Sequence, residues 1–199
     1  MGGGKQDPPM DVAAPWYRIS AFDAKKGTLL WQTEPGYRFI SLANGEREEN
    51  TPLIGTRLLA YQDHGKVRTL HALNATNGST LWQADLPCHP GSCQMPSAVF
   101  DRGMLYLLVR DDPQPRTKKT SGPYHLLAFD LSRGQKMADH ALPTPSYSLG
   151  LLGASDGRAY VRENAAEQTV IRALSLSDGQ VLWDRTENPA PDSLEIAAP

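Results

Sequence analysis

The stretch Ala72-Leu73-Asn74-Ala75-Thr76-Asn77-Gly78-Ser79-Thr80-Leu81-Trp82 returns along the chain in recognisable copies, and this recurrence restricts the fold more than any other feature. A first copy reads Ala21-Phe22-Asp23-Ala24-Lys25-Lys26-Gly27-Thr28-Leu29-Leu30-Trp31, and a last one Ala173-Leu174-Ser175-Leu176-Ser177-Asp178-Gly179-Gln180-Val181-Leu182-Trp183. Between them, Ala128-Phe129-Asp130-Leu131-Ser132-Arg133-Gly134-Gln135-Lys136-Met137-Ala138 keeps the alanine, the aspartate and the glycine but has Ala138 where the others have tryptophan. The repeat glycines Gly27, Gly78, Gly134 and Gly179 are spaced by 45 to 56 residues. A near-constant period of about 40 to 50 residues marks a stacked or radial array, in which one unit cannot bury a core alone.

Each copy reads as a β-hairpin. An alternating strand such as residues 68–73 enters a polar turn, the glycine supplies a backbone angle that other residues adopt only at a cost, and a second strand carries the tryptophan. Asp23, Asn74 and Asp130 hold the same place just before the turn. There a short polar side chain accepts hydrogen bonds from the backbone that follows, so these residues read as turn formers rather than catalytic groups. Trp31, Trp82 and Trp183 recur in register and read as packing between units, each buried indole nitrogen needing an acceptor.

The pattern of alanine, a hydrophobic residue, Asp or Asn, three variable positions, glycine, three more positions and tryptophan resembles the repeat of the pyrroloquinoline-quinone-like, or BamB-like, β-propellers. The resemblance extends over roughly residues 17 to 185. It implies an all-β fold, a β-propeller of four-stranded antiparallel blades with about three and a half blades present. On this expectation a half blade occupies residues 16–36, with blades at 50–87, 96–143 and 146–186. Residues 1–15 read as a flexible linker or a start added in cloning, and 187–199 as a tail or the start of a further blade. A propeller abolishes its sheet edges by closing into a ring, typically of four to eight blades. Three completions are open: a longer propeller of which this is part, a homodimer that completes the ring, or a small four-bladed ring.

Composition narrows the function classes. With 199 residues and a formal net charge of −2, neither sign dominates. A nucleic-acid surface would show as a basic balance, whereas the isoelectric point is about 6.2. No apolar run reaches the roughly 18 residues needed to cross a bilayer. The first nine residues have no apolar run of the signal-peptide kind, and Gln6 departs from the myristoylation pattern.

Both cysteines, Cys88 and Cys93, fall in Pro87-Cys88-His89-Pro90-Gly91-Ser92-Cys93, where a Pro-Gly turn can bring two thiols together. A local disulfide, two free thiols, or part of a metal site with His89 are the three states open to them; the last would have three ligands at most. The insertion at residues 111–123 is rich in proline and polar residues and reads as a surface loop. Its Arg116, Lys118 and Lys119 form a candidate contact for an acidic partner.

The five histidines show no metal-ligand spacing, and neither a phosphate-binding glycine loop nor a nucleophile elbow is present. No catalytic, cofactor or metal residue is therefore assigned. Quinoprotein dehydrogenases, which the repeat resembles, use adjacent cysteines, calcium-binding carboxylates and a catalytic aspartate, none of which matches here position by position. The expected function is a non-enzymatic binding or scaffold module for a protein, peptide or cell-envelope ligand. The resemblance also admits a divergent quinoprotein oxidoreductase and the ligand-sensing domain of a membrane-anchored receptor or kinase. It further implies an extracytoplasmic location, in keeping with a disulfide.

Overall fold

The structure, a computed structural model, describes residues 17–42, 52–64, 67–88, 93–111, 123–142, 149–165 and 168–187. These residues form strands and turns only. In chain order the strands are β1 (Ser20–Phe22), β2 (Leu29–Gln32), β3 (Tyr37–Phe39), β4 (Ser41–Leu42), β5 (Leu53–Ile54), β6 (Arg57–His64), β7 (Val67–Asn74) and β8 (Thr80–Leu86). They continue with β9 (Cys93–Asp101), β10 (Met104–Asp111), β11 (Tyr124–Asp130), β12 (Lys136–Leu142), β13 (Leu149–Ser155), β14 (Arg158–Ala165), β15 (Gln168–Ser175) and β16 (Val181–Glu187).

The strands assemble into four antiparallel sheets that succeed one another as propeller blades. The first is β1-β2, the second β3-β6-β7-β8, the third β9-β10-β11-β12 and the fourth β13-β14-β15-β16. Strand composition explains their ranking. The middle strands are apolar on both faces: residues 58–61 of β6 and 105–109 of β10 are all buried, as they must be when a sheet is covered on each side by a neighbour. The outer strand β8 alternates instead, Trp82 and Leu86 inward and Leu81 and Gln83 outward, because only one face meets protein.

Three apolar clusters lie between the sheets. Ile19 and Trp31 of the first blade pack with Leu58, Ala60 and Leu73 of the second. Leu59, Leu70, Ala72 and Trp82 of the second meet Leu105, Leu107 and Phe129 of the third. Tyr106, Leu108, Leu126 and Ala128 of the third meet Leu151, Val161 and Leu174 of the fourth. The second and third blades thus each contribute residues to two different cores. Leu73 faces backward and Ala72 forward, which is the period-two geometry of a strand put to work in both directions.

The innermost edge of the second blade departs from the sequence reading of that blade as residues 50–87. Both β3 and β5 pair with β6, at Tyr37↔Gln62 through Phe39↔Ala60 and at Leu53↔Leu58. Between them the chain crosses to the third blade, where β4 pairs parallel with β9 at Ser41↔Ser97 and Leu42↔Ala98. A short inner strand carries neither the glycine nor the tryptophan of the repeat, so the repeat could not locate it. The polar stretch at residues 44–50 lies outside the described residues.

The hairpins that join first to second strands have their own backbone signature. Arg102-Gly103 and Asp156-Gly157 both have two successive positive φ angles, 46° and 84°, and 51° and 75°. This two-residue turn matches the twist of the strands it connects. The Arg102 guanidinium donates to the Asp156 carboxylate and ties the two turns together across the blade boundary.

Candidate functional site

Two ends of the blades differ in chemistry, and each end is built from residues that the repeat brings into register. At one end lie the turns that carry the repeat glycines. In all four, the residue before the turn accepts from the glycine N–H through its carbonyl, at 2.8 Å for Asp23, 2.7 Å for Asn74 and 2.8 Å for both Asp130 and Ser175. The N–H of that same residue donates to a carbonyl five residues on, at Thr28, Ser79, Gln135 and Gln180. The side chains of Asp23, Asn74 and Asp130 then accept from the backbone two residues later, at 2.9, 2.8 and 2.7 Å. Gly27, Gly78, Gly134 and Gly179 have φ between 66° and 73°.

The serine hydroxyl of Ser132 also donates to Asp130, and with the backbone bonds it holds that carboxyl below the usual carboxylate range. Ser175 stands where the other copies have Asp or Asn. Its hydroxyl lies 2.8 Å from that of Ser177, and its hydrogen bond to Asp178 holds the Asp178 carboxyl low as well. After each turn the outer strand inserts one extra residue, so that Ala72 faces Trp82 while Leu73 faces Thr80, and the three other hairpins shift register at the same place. The extra residues Leu30, Leu81, Met137 and Leu182 are turned outward and exposed.

Trp31 and Trp82 lie across the turn of the following blade, whereas Trp183 of the last described strand is 46% exposed. Trp31 Nε1 donates to the Ala75 carbonyl at 2.9 Å, and Trp82 Nε1 to the Leu131 carbonyl at 2.8 Å. These acceptors are equivalent, each the residue after the turn-forming Asn74 or Asp130. A β-carbon on Gly78 would come within 2.6 Å of the Trp31 ring, and one on Gly134 within 2.5 Å of the Trp82 ring. The glycines are therefore required twice, for a left-handed backbone and for an indole lying directly on the chain.

The third blade, with Ala138 in place of tryptophan, solves the same contact differently. A β-carbon on Gly179 would meet His140 Cβ at 2.6 Å, so His140 covers the turn that an indole covers elsewhere. Residues 138 and 140 share a strand face, and the small Ala138 leaves room for the side chain two positions on. The repeat pattern does not mark His140, which stands two positions beyond the repeat position held by Ala138. On the neighbouring face His125 Nδ1 lies 2.7 Å from Asp139, and Lys136 donates to the same carboxylate at 2.9 Å. Burial opposes ionisation of Asp139, but these two partners outweigh it and hold the carboxyl below its ordinary range.

The opposite end of the blades carries a polar layer. Cross-strand partners at the same register are Asp63 and Arg68 in the second blade, Arg110 and Tyr124 in the third, and Asn164 and Thr169 in the fourth. Arg68 holds Asp63 through two bonds of 2.6 and 2.9 Å and lies 4.6 Å over the Tyr61 ring. Burial pushes the Tyr61 phenol up, against the opposing pull of a hydrogen bond from Arg38. Thr69 donates to Asp85 at 3.0 Å, and Tyr124 accepts from the Leu149 N–H at 3.0 Å, bridging the third blade to the fourth. Glu163 pairs with Arg172 beside this layer. Charged groups that are buried with their partners, as Arg68 is with Asp63, make this layer rigid and polar.

Connections leave the chain at this polar end. Cys88, buried at the end of β8, is disulfide-bonded, and Cys93, the other cysteine of the chain, begins β9; the Cys93 side chain lies outside the described residues. Arg116, Lys118 and Lys119 likewise lie outside them, between β10 and β11. Among the described residues no group of three or more His, Cys, Asp or Glu side chains is placed to hold a metal ion. No helix among them is long and apolar enough to cross a membrane.

Residues 17–186 match the family described as outer membrane protein assembly factor BamB. No curated protein matches the chain. Among solved structures it is similar to a europium-containing methanol dehydrogenase, at 11% identity and a TM-score of 0.46, over 67% of this chain and 23% of that one. It is also similar to the Dos1 propeller, at 13% identity and a TM-score of 0.47, over 86% of this chain and 42% of that one. The chain spans less than half the length of either structure.

Proposed function

We propose a binding role on the premise that this chain, matched over residues 17–186, belongs to the family of the outer membrane protein assembly factor BamB. The chain is a propeller module that recognises a protein, peptide or cell-envelope ligand without chemical turnover, outside the cytoplasm, with a second copy completing its ring. The observation that carries the binding reading is the polar layer at one end of three successive blades. Asp63 with Arg68, Arg110 with Tyr124 and Asn164 with Thr169 are paired polar groups, most of them buried, that fix the strand ends from which the loops leave. The connections containing Cys88 and the Arg116, Lys118 and Lys119 stretch follow directly from its strands. Loops carried on a rigid scaffold are where binding residues concentrate, and a loop bearing Arg116, Lys118 and Lys119 favours carboxylates on the partner.

The test is selection of displayed random peptides on the immobilised chain, followed by calorimetry of the enriched peptides. Acidic peptides that bind the parent and lose at least about tenfold in affinity when Arg116, Lys118 and Lys119 are changed to serine support the reading. Peptides that ignore the triple change, or no enrichment at all, count against this face. Added pyrroloquinoline quinone and calcium are expected to leave the melting temperature unchanged, and stabilisation with dye reduction would overturn the non-enzymatic assignment.

A further inference from the structure

The glycine turn of the second blade carries a reactive group that the other three turns lack. The residue before the repeat glycine is Lys26, Asn77, Arg133 and Asp178 in chain order. Only the asparagine has a side-chain amide that the next backbone nitrogen can attack with loss of ammonia; the Asp178 carboxylate is a far poorer electrophile. Asn77 is exposed to water, and Gly78 after it has no β-carbon to hinder the approach. The chain's other Asn-Gly pair, Asn44-Gly45, lies outside the described residues.

In the folded turn both reacting groups are held away from each other. The Gly78 N–H, whose nitrogen is the nucleophile once the proton is lost, donates to the Asn74 carbonyl at 2.7 Å. The Asn77 side-chain oxygen accepts from the Ser79 N–H at 3.0 Å and from the Ser79 hydroxyl at 2.8 Å, which fixes the electrophilic carbon. Over Gly78 lies the Trp31 ring, within 2.6 Å of a β-carbon placed there, and the indole nitrogen is anchored on the Ala75 carbonyl at 2.9 Å. Swinging the Gly78 nitrogen toward the Asn77 side chain rotates the peptide that the indole covers, so the indole must leave first.

From this we infer that Asn77 is a modification site: it deamidates through a cyclic imide, and the joint between the first and second blades gates the reaction. The Gly78 nitrogen gives its proton to hydroxide and forms a bond to Asn77 Cγ. The Cγ–Nδ2 bond breaks, and the amide nitrogen takes a proton from water and leaves as ammonia. Water then opens the imide. Cleavage at Cγ leaves aspartate, whereas cleavage at the main-chain carbonyl carbon leaves isoaspartate, in which the main chain runs through the side chain and is one methylene longer. The two products differ in consequence. Aspartate already stands in this place in the fourth blade, where Asp178 accepts from the Gln180 N–H at 3.1 Å, so that product fits the turn. Isoaspartate lengthens the chain between Asn74 and Gly78, displaces Gly78 from the Asn74 carbonyl and from under the indole, and holds open the joint whose opening produced it.

The experiment is peptide mapping by mass spectrometry of the full chain after incubation at mildly alkaline pH, folded and in urea, beside the folded variants Trp31→Ala and Trp31→Phe. Conversion at Asn77 is expected to be at least about tenfold slower in the folded parent than in urea, and at least about threefold faster in Trp31→Ala than in the parent. Trp31→Phe keeps a ring over Gly78 and loses the bond to Ala75; it is expected to fall between the two, and it serves where Trp31→Ala does not fold. Parent bearing isoaspartate, separated by chromatography, should melt below parent bearing aspartate, which should match the untreated chain. Equal rates in the folded and urea-unfolded parent, or folded Trp31 variants that convert no faster than the parent, would overturn the gate. An Asn77 that stays unconverted in urea would overturn the site.

Discussion

Two successive joints in this molecule rest on the same glycine turn and are closed by different side chains. Between the second and third blades, Trp82 supplies a large apolar ring and an N–H that finds the Leu131 carbonyl. Between the third and fourth, His140 lies on Gly179 with a smaller ring, and its Nε2 is buried without a hydrogen-bond partner among the described residues. An unpaired buried polar atom costs about 1–3 kcal/mol, while a satisfied indole adds both area and a bond. The two joints therefore share a shape and differ in strength. A propeller joint is thus defined by its turn, and the residue that covers the turn sets how firmly the blades are held.

The largest expected effect breaks the comparison outright. Trp82→Ala removes a buried ring and orphans a carbonyl, and it is expected to cost about 3–5 kcal/mol. His140→Ala removes less area and also removes the orphaned nitrogen, so its cost is expected to stay below about 1 kcal/mol. Urea unfolding of the two variants measures both; equal losses would mean that the joints are equally strong and that the chemistry of the covering residue is immaterial.

A smaller effect separates the two reasons for glycine. Gly27→Ala and Gly134→Ala impose the same left-handed strain, about 1–2 kcal/mol, since φ is 66° and 69°. Only at Gly134 does the new methyl also meet an indole, adding about 1–3 kcal/mol of overpacking. Unfolding midpoints taken on dilute, monomeric chain should rank Gly134→Ala below Gly27→Ala, and identical midpoints would remove the close approach of Trp82 as a constraint.

The smallest effect concerns acid. The carboxyls of Asp130, in the joint between the second and third blades, and of Asp139 and Asp178, in or beside the joint between the third and fourth, are held below their usual range. A depressed folded-state pKa gives stability that is fully present above the unfolded value and is lost as pH falls through the folded value. The turn at Asn74 has no such group. Stability should therefore decline with acid chiefly at the third and fourth blades, between about pH 5 and pH 2. Asp130→Asn, which copies the second blade, should flatten that decline, and an unchanged slope in urea midpoints against pH would place the acid sensitivity elsewhere.

Local chemistry is legible in the order of the residues. The Asp or Asn before each turn and the glycine within it act on their own neighbours in the chain, so the residues alone identify a hairpin and its repetition. The polar layer is not legible in this way, because Asp63 with Arg68 and Arg110 with Tyr124 are meaningful only once three blades stand in register. His140 carries one usable signal, its place two residues from Ala138 on the same strand face. The divided inner edge of the second blade carries none, since β3, β4 and β5 are two or three residues long and lack the repeat residues.

What the amino-acid order determined by itself is the repeating unit: a strand, a hydrogen-bonded turn that demands a left-handed glycine, and a strand that brings an aromatic back beside it. Every step of that unit is governed by interactions within about a dozen residues, which is why composition and spacing suffice to read it. Only the tertiary structure decided which aromatic covers which turn, since Trp31 reaches Ala75 and Trp82 reaches Leu131 across more than forty residues of chain. That choice is made by sheets stacking on their two apolar faces. The same stacking buries Phe129 and exposes Phe22, residues that no local rule tells apart, because burial is a property of the neighbour and not of the residue.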